Sequence, residues 1–314
     1  MRVLIVGCGY VGVPLGAELV KQGHEVFGLR RSPGAETELK TAGIVPLLGD
    51  ITQPGQLARL PFGFDWVVNC VSSSGGGTAD YREVYLQGTR NLINWLGAVC
   101  PRKFVYTSST SVYGQTDGSV VKESSPTEPE AETGKILVET EKTLLEGAGK
   151  LPAVVLRVAG IYGPNRGHWF KQYLKDEARI EGKGERILNM IHRDDVVGAI
   201  IAALKSGRAG EVYNAVDDEP VTQFAFFQWL SATLGKDLPP FEDEAAPGEK
   251  DADRDVGAPG GRAQEAERKR GRTNKKVSNR RLKMELGYQF KYPTFRQGYT
   301  AEILRLDRKG EMGG

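Results

Sequence analysis

The sequence predicts an α/β fold built on a doubly wound parallel sheet, and three observations carry that reading. Short apolar segments alternate with amphipathic, helix-patterned ones along most of the chain. The strand candidates are apolar throughout instead of alternating, which calls for cover on both faces of the sheet. The first strand also runs into Gly7-x-Gly9-x-x-Gly12 and then straight into a helix, so the turn leaving the sheet is rich in glycine.

In chain order, RVLIVG at 2–7 is the first strand and 11–22 the first helix. EVFGLR at 25–30, a helix over 34–42, IVPLLGD at 44–50 and a short helix near 54–59 continue the pattern. DWVVNCV at 65–71 is the fourth strand, followed by a long helix over 79–98 and by KFVYTSS at 103–109. A helix across 133–147, the strand AVVLRVA at 153–159, a helix over 194–204 and the strand EVYNAV at 211–216 extend the alternation. Residues 1–160, with the sheet completed by 194–216, therefore read as one domain. Segments 161–192 and 217–314 break the pattern and read as a small C-terminal lobe over the C-terminal edge of the sheet, where it would cover a ligand. Within it, 236–272 mixes Pro, Gly and Ala with an acidic and then a basic run. That stretch has too few apolar groups to offset its ordering entropy and reads as a mobile loop. Order resumes at Lys275, where KKVSNRRLKMELGYQF contains a short helix.

Bulk properties exclude several classes. With 314 residues and a net charge of +2, the chain has the composition of an ordinary globular protein. Its apolar runs fall short of the ~20 residues that span a bilayer, and no leader is visible before the first strand. The basic RKRGR at 268–272 is offset by the acidic run before it, which makes nucleic acid an unfavoured partner. Three cysteines, Cys8, Cys70 and Cys100, lack metal-ligand spacing. No metal is expected, and a reducing cytoplasm fits best.

The glycines have separate roles. Gly7 suits a tight turn, Gly9 lets the backbone approach a pyrophosphate, and Gly12 lets the helix pack on the sheet. With Tyr10 and Val11 they form a turn whose N–H groups and helix dipole would face phosphates, so a dinucleotide is the expected ligand. The second strand ends in Gly28-Leu29-Arg30-Arg31-Ser32, with no acid for a ribose 2′-hydroxyl. Arg30 and Arg31 can instead grip a 2′-phosphate, which favours NADP and leaves NAD open; a solvated turn is the plainer reading. Asp50 either reaches an adenine amino group or is a strand-end turn residue.

Further segments line up in order: Gly49-Asp50, GTRNL at 88–92, FVYTSSTSVYG at 104–114, KILVE at 135–139, LRVAGIYGPNRG at 156–167, IHRDD at 191–195 and NKKVSNRRLKMELG at 274–287. On these the chain resembles the extended or atypical short-chain dehydrogenases/reductases of the NAD(P)-dependent epimerase/dehydratase family. The resemblance implies a Rossmann-type domain with a C-terminal substrate lobe, and hydride transfer matched by proton exchange through a Tyr with a Lys four residues later. Lys135, followed by Glu139, matches that Lys, holding the nicotinamide ribose as well as serving catalysis; Ala131 stands where the Tyr is expected. Ser109 matches the substrate-bonding Ser/Thr. Tyr85 replaces an Asn and is either a substitute acid near Lys135 or a pocket-lining aromatic. Tyr113 and Tyr162 match pocket-shaping positions, with packing as the alternative. Arg166 is placed to contact a diphosphate or acidic substrate, and His192 to serve as substrate contact or base, with one of the two following Asp residues as helix N-cap. Cys8 is either a thiolate at a helix N-terminus or a packed small residue.

The expectation is an NAD(P)-dependent oxidoreductase or epimerase/dehydratase-like enzyme for a sugar-like or nucleotide-linked small molecule, with an active site lacking the usual Tyr. A non-catalytic NADP(H)-binding sensor or regulator is the alternative. GYVGVPLG also resembles the turn of UDP-sugar dehydrogenases, but those need a later nucleophilic Cys and none follows Cys100. The resemblance also makes a homodimer through helix 79–98 and the helix carrying Lys135 plausible.

Overall fold

The computed structural model describes residues 1–73, 77–146, 151–242 and 273–310. Seven strands form its central sheet: β1 (Arg2–Val6), β2 (Glu25–Arg30), β3 (Val45–Leu48), β4 (Trp66–Asn69), β5 (Lys103–Ser109), β6 (Ala153–Val158) and β7 (Val212–Ala215). They lie in the order β7-β6-β5-β4-β1-β2-β3, every pair parallel. Strand order reverses between β1 and β4, and such a switch point opens a crevice at the C-terminal strand ends. Val6 at the end of β1 sits opposite Leu29 on one side and Asn69 on the other.

Pleating sends alternate side chains of β1 to opposite faces, and each face has its own core. Val3 and Ile5 join Leu15, Leu19, Val68, Ile200 and Ala203 beneath the helices Gly12–Lys21 and Arg193–Ser206. Leu4 and Val6 join Phe27, Val67, Leu92, Leu96 and Phe104 beneath the helix Gly88–Leu96. Both faces are covered, as the uniformly apolar strands require. The edge strand β3 behaves differently, with Val45 and Leu48 exposed. Pro46 is tolerated there because an edge strand need not donate on both sides.

A third apolar cluster, rich in rings, includes Tyr162, Phe170, Tyr173, Phe226, Phe295 and Tyr299. It is built by the helices His168–Leu174, Gln223–Leu234 and Phe295–Arg308. Two-residue and three-residue strands tie this region together: Gly160–Tyr162 with Met190–His192, and Ile187–Leu188 with Val221–Thr222. Val120–Val121 pairs with Lys276–Val277, which fixes the returning C-terminal segment.

Two expectations need correction. The helix expected over 79–98 is a short α-helical turn Thr78–Tyr81, a π-helical stretch Arg82–Gln87 and then Gly88–Leu96. The stretch expected to be a mobile loop is, over 236–242, held against the ring cluster: the Tyr173 hydroxyl donates to the Asp237 carbonyl at 3.1 Å and the Glu242 N–H to the Ile180 carbonyl at 2.8 Å. Backbone pairing there supplies what the sparse apolar content does not. Its remainder, 243–272 with RKRGR, lies outside the described residues. Among the described residues no helix is long and apolar enough to cross a membrane, and no cluster of His, Cys, Asp or Glu could hold a metal ion.

Candidate functional site

The glycine turn is dictated by sterics. Gly7 leaves β1 with φ +79°, and a Cβ there would lie 2.7 Å from the backbone of Val71. The Gly7 and Cys8 N–H groups both donate to the Leu29 carbonyl at 3.1 Å. A Cβ on Gly12 would meet Ile5 at 3.0 Å and the Gly7 carbonyl at 3.1 Å, tighter than ordinary contact, so the absence of a side chain lets the helix pack closely on the sheet. Gly9 is different: its Cβ would meet nothing nearer than the Gly7 carbonyl at 3.9 Å, which leaves open space in front of the turn. The helix Gly12–Lys21 begins at Val11 without a side-chain cap. Its leading N–H groups are thus suited to an anion. Cys8 is not a reactive thiol here, since burial pushes it up to about 12.

A groove of about 200 Å³ opens at the C-terminal ends of β1 to β4, walled by Gly7, Gly9, Arg30, Arg31, Asp50 and Val71. Arg30 is steered by Glu38 at 3.0 Å and Arg31 stands beside it on the wall. Asp50 is a strand-end turn residue that also borders this groove. One oxygen caps the following turn by accepting the Thr52 N–H at 2.9 Å, while the residue lines the groove. A turn closed to side chains at Gly7 and open at Gly9, with Arg30 and Arg31 on the same groove wall, is suited to the phosphates and one end of a nucleotide.

The helix Glu132–Glu146 presents a different picture. Lys135 pairs with Glu132 at 2.7 Å, its side chain 54% exposed on the outward face, and it is not among the residues of the nucleotide groove. The expected ribose-holding lysine is therefore turned away. The inward face carries Thr133, Ile136, Leu137, Thr140 and Glu141. Glu141 accepts from Arg157 at 2.7 Å and from the Ser108 hydroxyl at 2.5 Å. Arg157 also donates to the Tyr113 hydroxyl at 2.9 Å, and that hydroxyl donates to Asn214 at 2.8 Å. Tyr113 is fully buried in this network, so it belongs to the core and not to a substrate wall.

Tyr85 lies in the π-helical stretch and its hydroxyl accepts the Ser73 N–H at 3.2 Å, just beyond β4. Burial and the neighbouring Tyr81 push it up to about 12, and Lys135 is engaged elsewhere, so no Tyr85–Lys135 pair forms. Ser109, at the end of β5, accepts the Ser111 N–H at 3.1 Å. Its own O–H is left to donate.

The segment after β6 rearranges the remaining candidates. Tyr162 is a core residue, stacked on Tyr299 with centroids 4.3 Å apart. His192 is 1% exposed and caps the helix Arg193–Ser206, accepting the Asp194 N–H on Nδ1 at 3.1 Å; its Nε2 faces Glu302 at 3.5 Å. It is a structural cap, and the expected Asp cap is not used. Asp195 is instead buried, accepting from the Tyr288 hydroxyl at 2.7 Å and from the N–H groups of Lys291 and Tyr292. Arg166 is exposed, as a substrate or phosphate contact must be, and lies over the Tyr10 ring at 5.0 Å.

Sequence reasoning missed Arg193, which lies over the same ring at 5.4 Å, and Asp217, a carboxyl that burial pushes up to about 8. It also missed the Glu141–Arg157 pair. A signal existed for that one: an arginine inside the apolar run AVVLRVA must find an acid.

Residues 3–215 match the sequence profile described as the NAD dependent epimerase/dehydratase family. Protein YeeZ of Escherichia coli (strain K12) is 27% identical over 298 residues, covering 93% of this chain and 96% of YeeZ. Among solved structures, a protein of unknown function from Silicibacter pomeroyi shares 31% identity with a TM-score of 0.75, covering 97% of this chain and 98% of that one. DesIV, the dTDP-glucose 4,6-dehydratase of Streptomyces venezuelae with NAD and TYD bound, reaches a TM-score of 0.79 at 22% identity, covering 98% of this chain and 97% of its own, a likeness of fold.

Proposed function

This chain belongs to the NAD dependent epimerase/dehydratase family, and from that premise we propose that it is an NADP(H)-dependent oxidoreductase whose proton exchange bypasses the usual Tyr–Lys pair. One observation carries the cofactor assignment: the groove is rimmed by Arg30 and Arg31, with no carboxylate at the end of β2. Two guanidinium groups suit a 2′-phosphate, whereas a ribose hydroxyl wants an acid. When bound, the nicotinamide supplies or takes a hydride at a substrate carbon bearing oxygen.

The chain's own residues supply the rest. The glycine turn orients the phosphates, and Asp50 borders the adenosine end. Ser109 and Tyr85 bring hydroxyls to the C-terminal ends of β5 and β4, where they polarise the substrate oxygen. With its pKa near 12, Tyr85 stays protonated at neutral pH and acts as donor, not as base. We assign residues 1–160 and 194–216 to cofactor binding and 161–192 with 217–314 to a substrate lobe, which the separate ring cluster supports. The family suggests a sugar-like or nucleotide-linked carbonyl/alcohol pair, and a homodimer through the helices around Arg82 and Lys135.

A second reading is a NADP(H)-binding protein without turnover, favoured by Lys135 facing outward onto Glu132. Calorimetry with NADPH and NADH, then NADPH oxidation across a carbonyl panel, separates the two. NADPH is expected to bind at least about tenfold tighter than NADH, a margin that Arg30→Ala with Arg31→Ala abolishes. Turnover lost in Ser109→Ala supports the enzyme; tight NADPH binding with no turnover supports the sensor. Binding of neither coenzyme overturns both.

A further inference from the structure

We infer that Arg166 and Arg193, laid over Tyr10 of the glycine turn, form a phosphoryl-binding clamp carried by segments outside that turn. The inference rests on the reading that the turn holds phosphates, and adds residues that no phosphate-turn pattern contains. Three elements meet at one ring. Tyr10 lies between Gly9 and Gly12, Arg166 comes from the turn after the strand Gly160–Tyr162, and Arg193 opens the helix Arg193–Ser206. Their guanidinium carbons lie 5.0 and 5.4 Å from the Tyr10 centroid. The Arg166 turn is fixed by paired backbone bonds between Gly163 and Arg166, and by Arg305 donating to Asn165 at 3.3 Å.

Charge makes this arrangement informative. The charges that act on the Tyr10 hydroxyl are Arg193, Arg166, Glu302 and Asp194, and both acids are already engaged by cations. Asp194 is shared by Arg193 at 3.0 Å and Lys291 at 2.9 Å, and Glu302 is held by Arg305 at 2.9 Å and faces His192. Among the described residues the Arg166 guanidinium has no hydrogen bond or ion pair of its own. A helix N-terminus without a side-chain cap adds further positive potential at the same turn. Asp194 already neutralises Arg193, so the excess positive potential at this turn comes from Arg166 and the helix N-terminus, and an added anion would offset it. The Arg166 guanidinium, lying on the ring, keeps its N–H edge for a bidentate contact that phosphoryl oxygens match in geometry, whereas Arg193 already places Nε and Nη2 on Asp194 and offers Nη1. Among the described residues the buried Tyr10 hydroxyl has no hydrogen-bond partner, while the two guanidinium groups over its ring hold the ring between the turn and the segments that cover it.

Phosphoryl oxygens at this clamp have two sources, the pyrophosphate of the cofactor or a phosphorylated substrate, and one set of titrations distinguishes them. Inorganic pyrophosphate is titrated calorimetrically into the intact protein, into Arg166→Ala and into Arg166→Lys, with thermal melts as a folding control. Pyrophosphate is expected to bind the parent protein and to weaken about tenfold or more in Arg166→Ala, with Arg166→Lys intermediate because it keeps charge but loses the planar fork. Displacement of pyrophosphate by NADPH assigns the clamp to the cofactor. Pyrophosphate binding beside saturating NADPH, still dependent on Arg166, assigns it to a substrate phosphoryl group. Affinity for pyrophosphate unchanged by Arg166→Ala and by Arg193→Ala overturns the clamp, even where NADPH binds normally. Failure of the parent protein to bind NADPH would instead strike the cofactor reading, because pyrophosphate is measured independently of it.

Discussion

The glycine turn and the helix Glu132–Glu146 border the same end of the sheet, yet they are specified in opposite ways. At the turn the shape depends on atoms that are missing: a Cβ at Gly7 has no room, one at Gly12 would press on Ile5 and the Gly7 carbonyl, and one at Gly9 would project into open space. On the helix, side chains decide everything, and the inward ones hold the structure together. Glu141 engages Arg157 and Ser108, while Lys135 is left on the outside with Glu132. Backbone sterics are thus retained where a fold is shared. A pair of side chains on a helix is more easily displaced, because one substitution or a rotation of the helix separates it.

The largest effect should come from the helix side of this contrast. Arg157 and Glu141 are nearly sealed from water, with side-chain exposures of 7% and 3%. Arg157→Met alone leaves a buried carboxylate without its partner and should cost about 3–5 kcal/mol in urea unfolding. Replacing both residues by apolar ones of similar size should recover much of that loss. A single variant as stable as the parent protein would mean that the pair is not the helix's anchor.

Next in size is the contrast within the turn itself. Gly7→Ala combines a positive φ with contact at 2.7 Å to Val71, so it should lower stability by about 1–3 kcal/mol and abolish NADPH binding together. Gly9→Ala meets only the Gly7 carbonyl, at an unstrained 3.9 Å. It should leave the melting temperature near that of the parent and weaken NADPH alone. If both variants lost stability equally, the open space before Gly9 would not be a ligand site.

A smaller effect tests the seam between sheet and ring cluster. Asp217 is buried after β7, its N–H donating to the Met190 carbonyl, and it titrates near 8 when folded. Its unfolded value is near 3.8. Between these two values the unfolded chain gives up the proton while the folded protein keeps it, so stability falls as pH rises from about 4 to about 8 and then levels. Below about 4 both states are protonated and the group costs nothing. Asp217→Asn should flatten that slope and gain relative to the parent by about 1–2 kcal/mol at pH 8, discounting for relaxation around the charge. Parallel stability curves for the two proteins would remove Asp217 as their cause.

The legible and illegible parts of the molecule divide along the same line. The succession of strands and helices, the two covered sheet faces and the glycine turn follow from local pattern, because apolar period and steric exclusion act over a few residues. His192 as cap was hidden by the two carboxylates after it, which are the better capping residues by chemistry. Asp195 is drawn away from that role by Tyr288, Lys291 and Tyr292, more than ninety positions later in the chain. The pairing of Arg166 and Arg193 on Tyr10 likewise joins three distant segments. Contacts of that span leave no local signal, and Lys236 to Glu242 hold their place through backbone pairing that composition does not reveal.

The smallest predicted effect is the most discriminating for function. The spacing of Lys135 and Glu139 agrees with the family's Lys and acid, but spacing does not fix which face of a helix they occupy. The inward Leu137 is two residues on, and two residues rotate a helix position by about 200°. Lys135→Ala should therefore change stability by less than about 0.5 kcal/mol, since it breaks only an exposed i,i+3 pair. It should also leave NADPH affinity and any NADPH-linked turnover unchanged. Loss of affinity by tenfold or more would place the ammonium on the nicotinamide ribose after all, which requires the first turn of Glu132–Glu146 to rewind when cofactor binds. Unchanged binding beside a Gly9→Ala variant that no longer binds would locate cofactor recognition wholly in the backbone turn and its arginines.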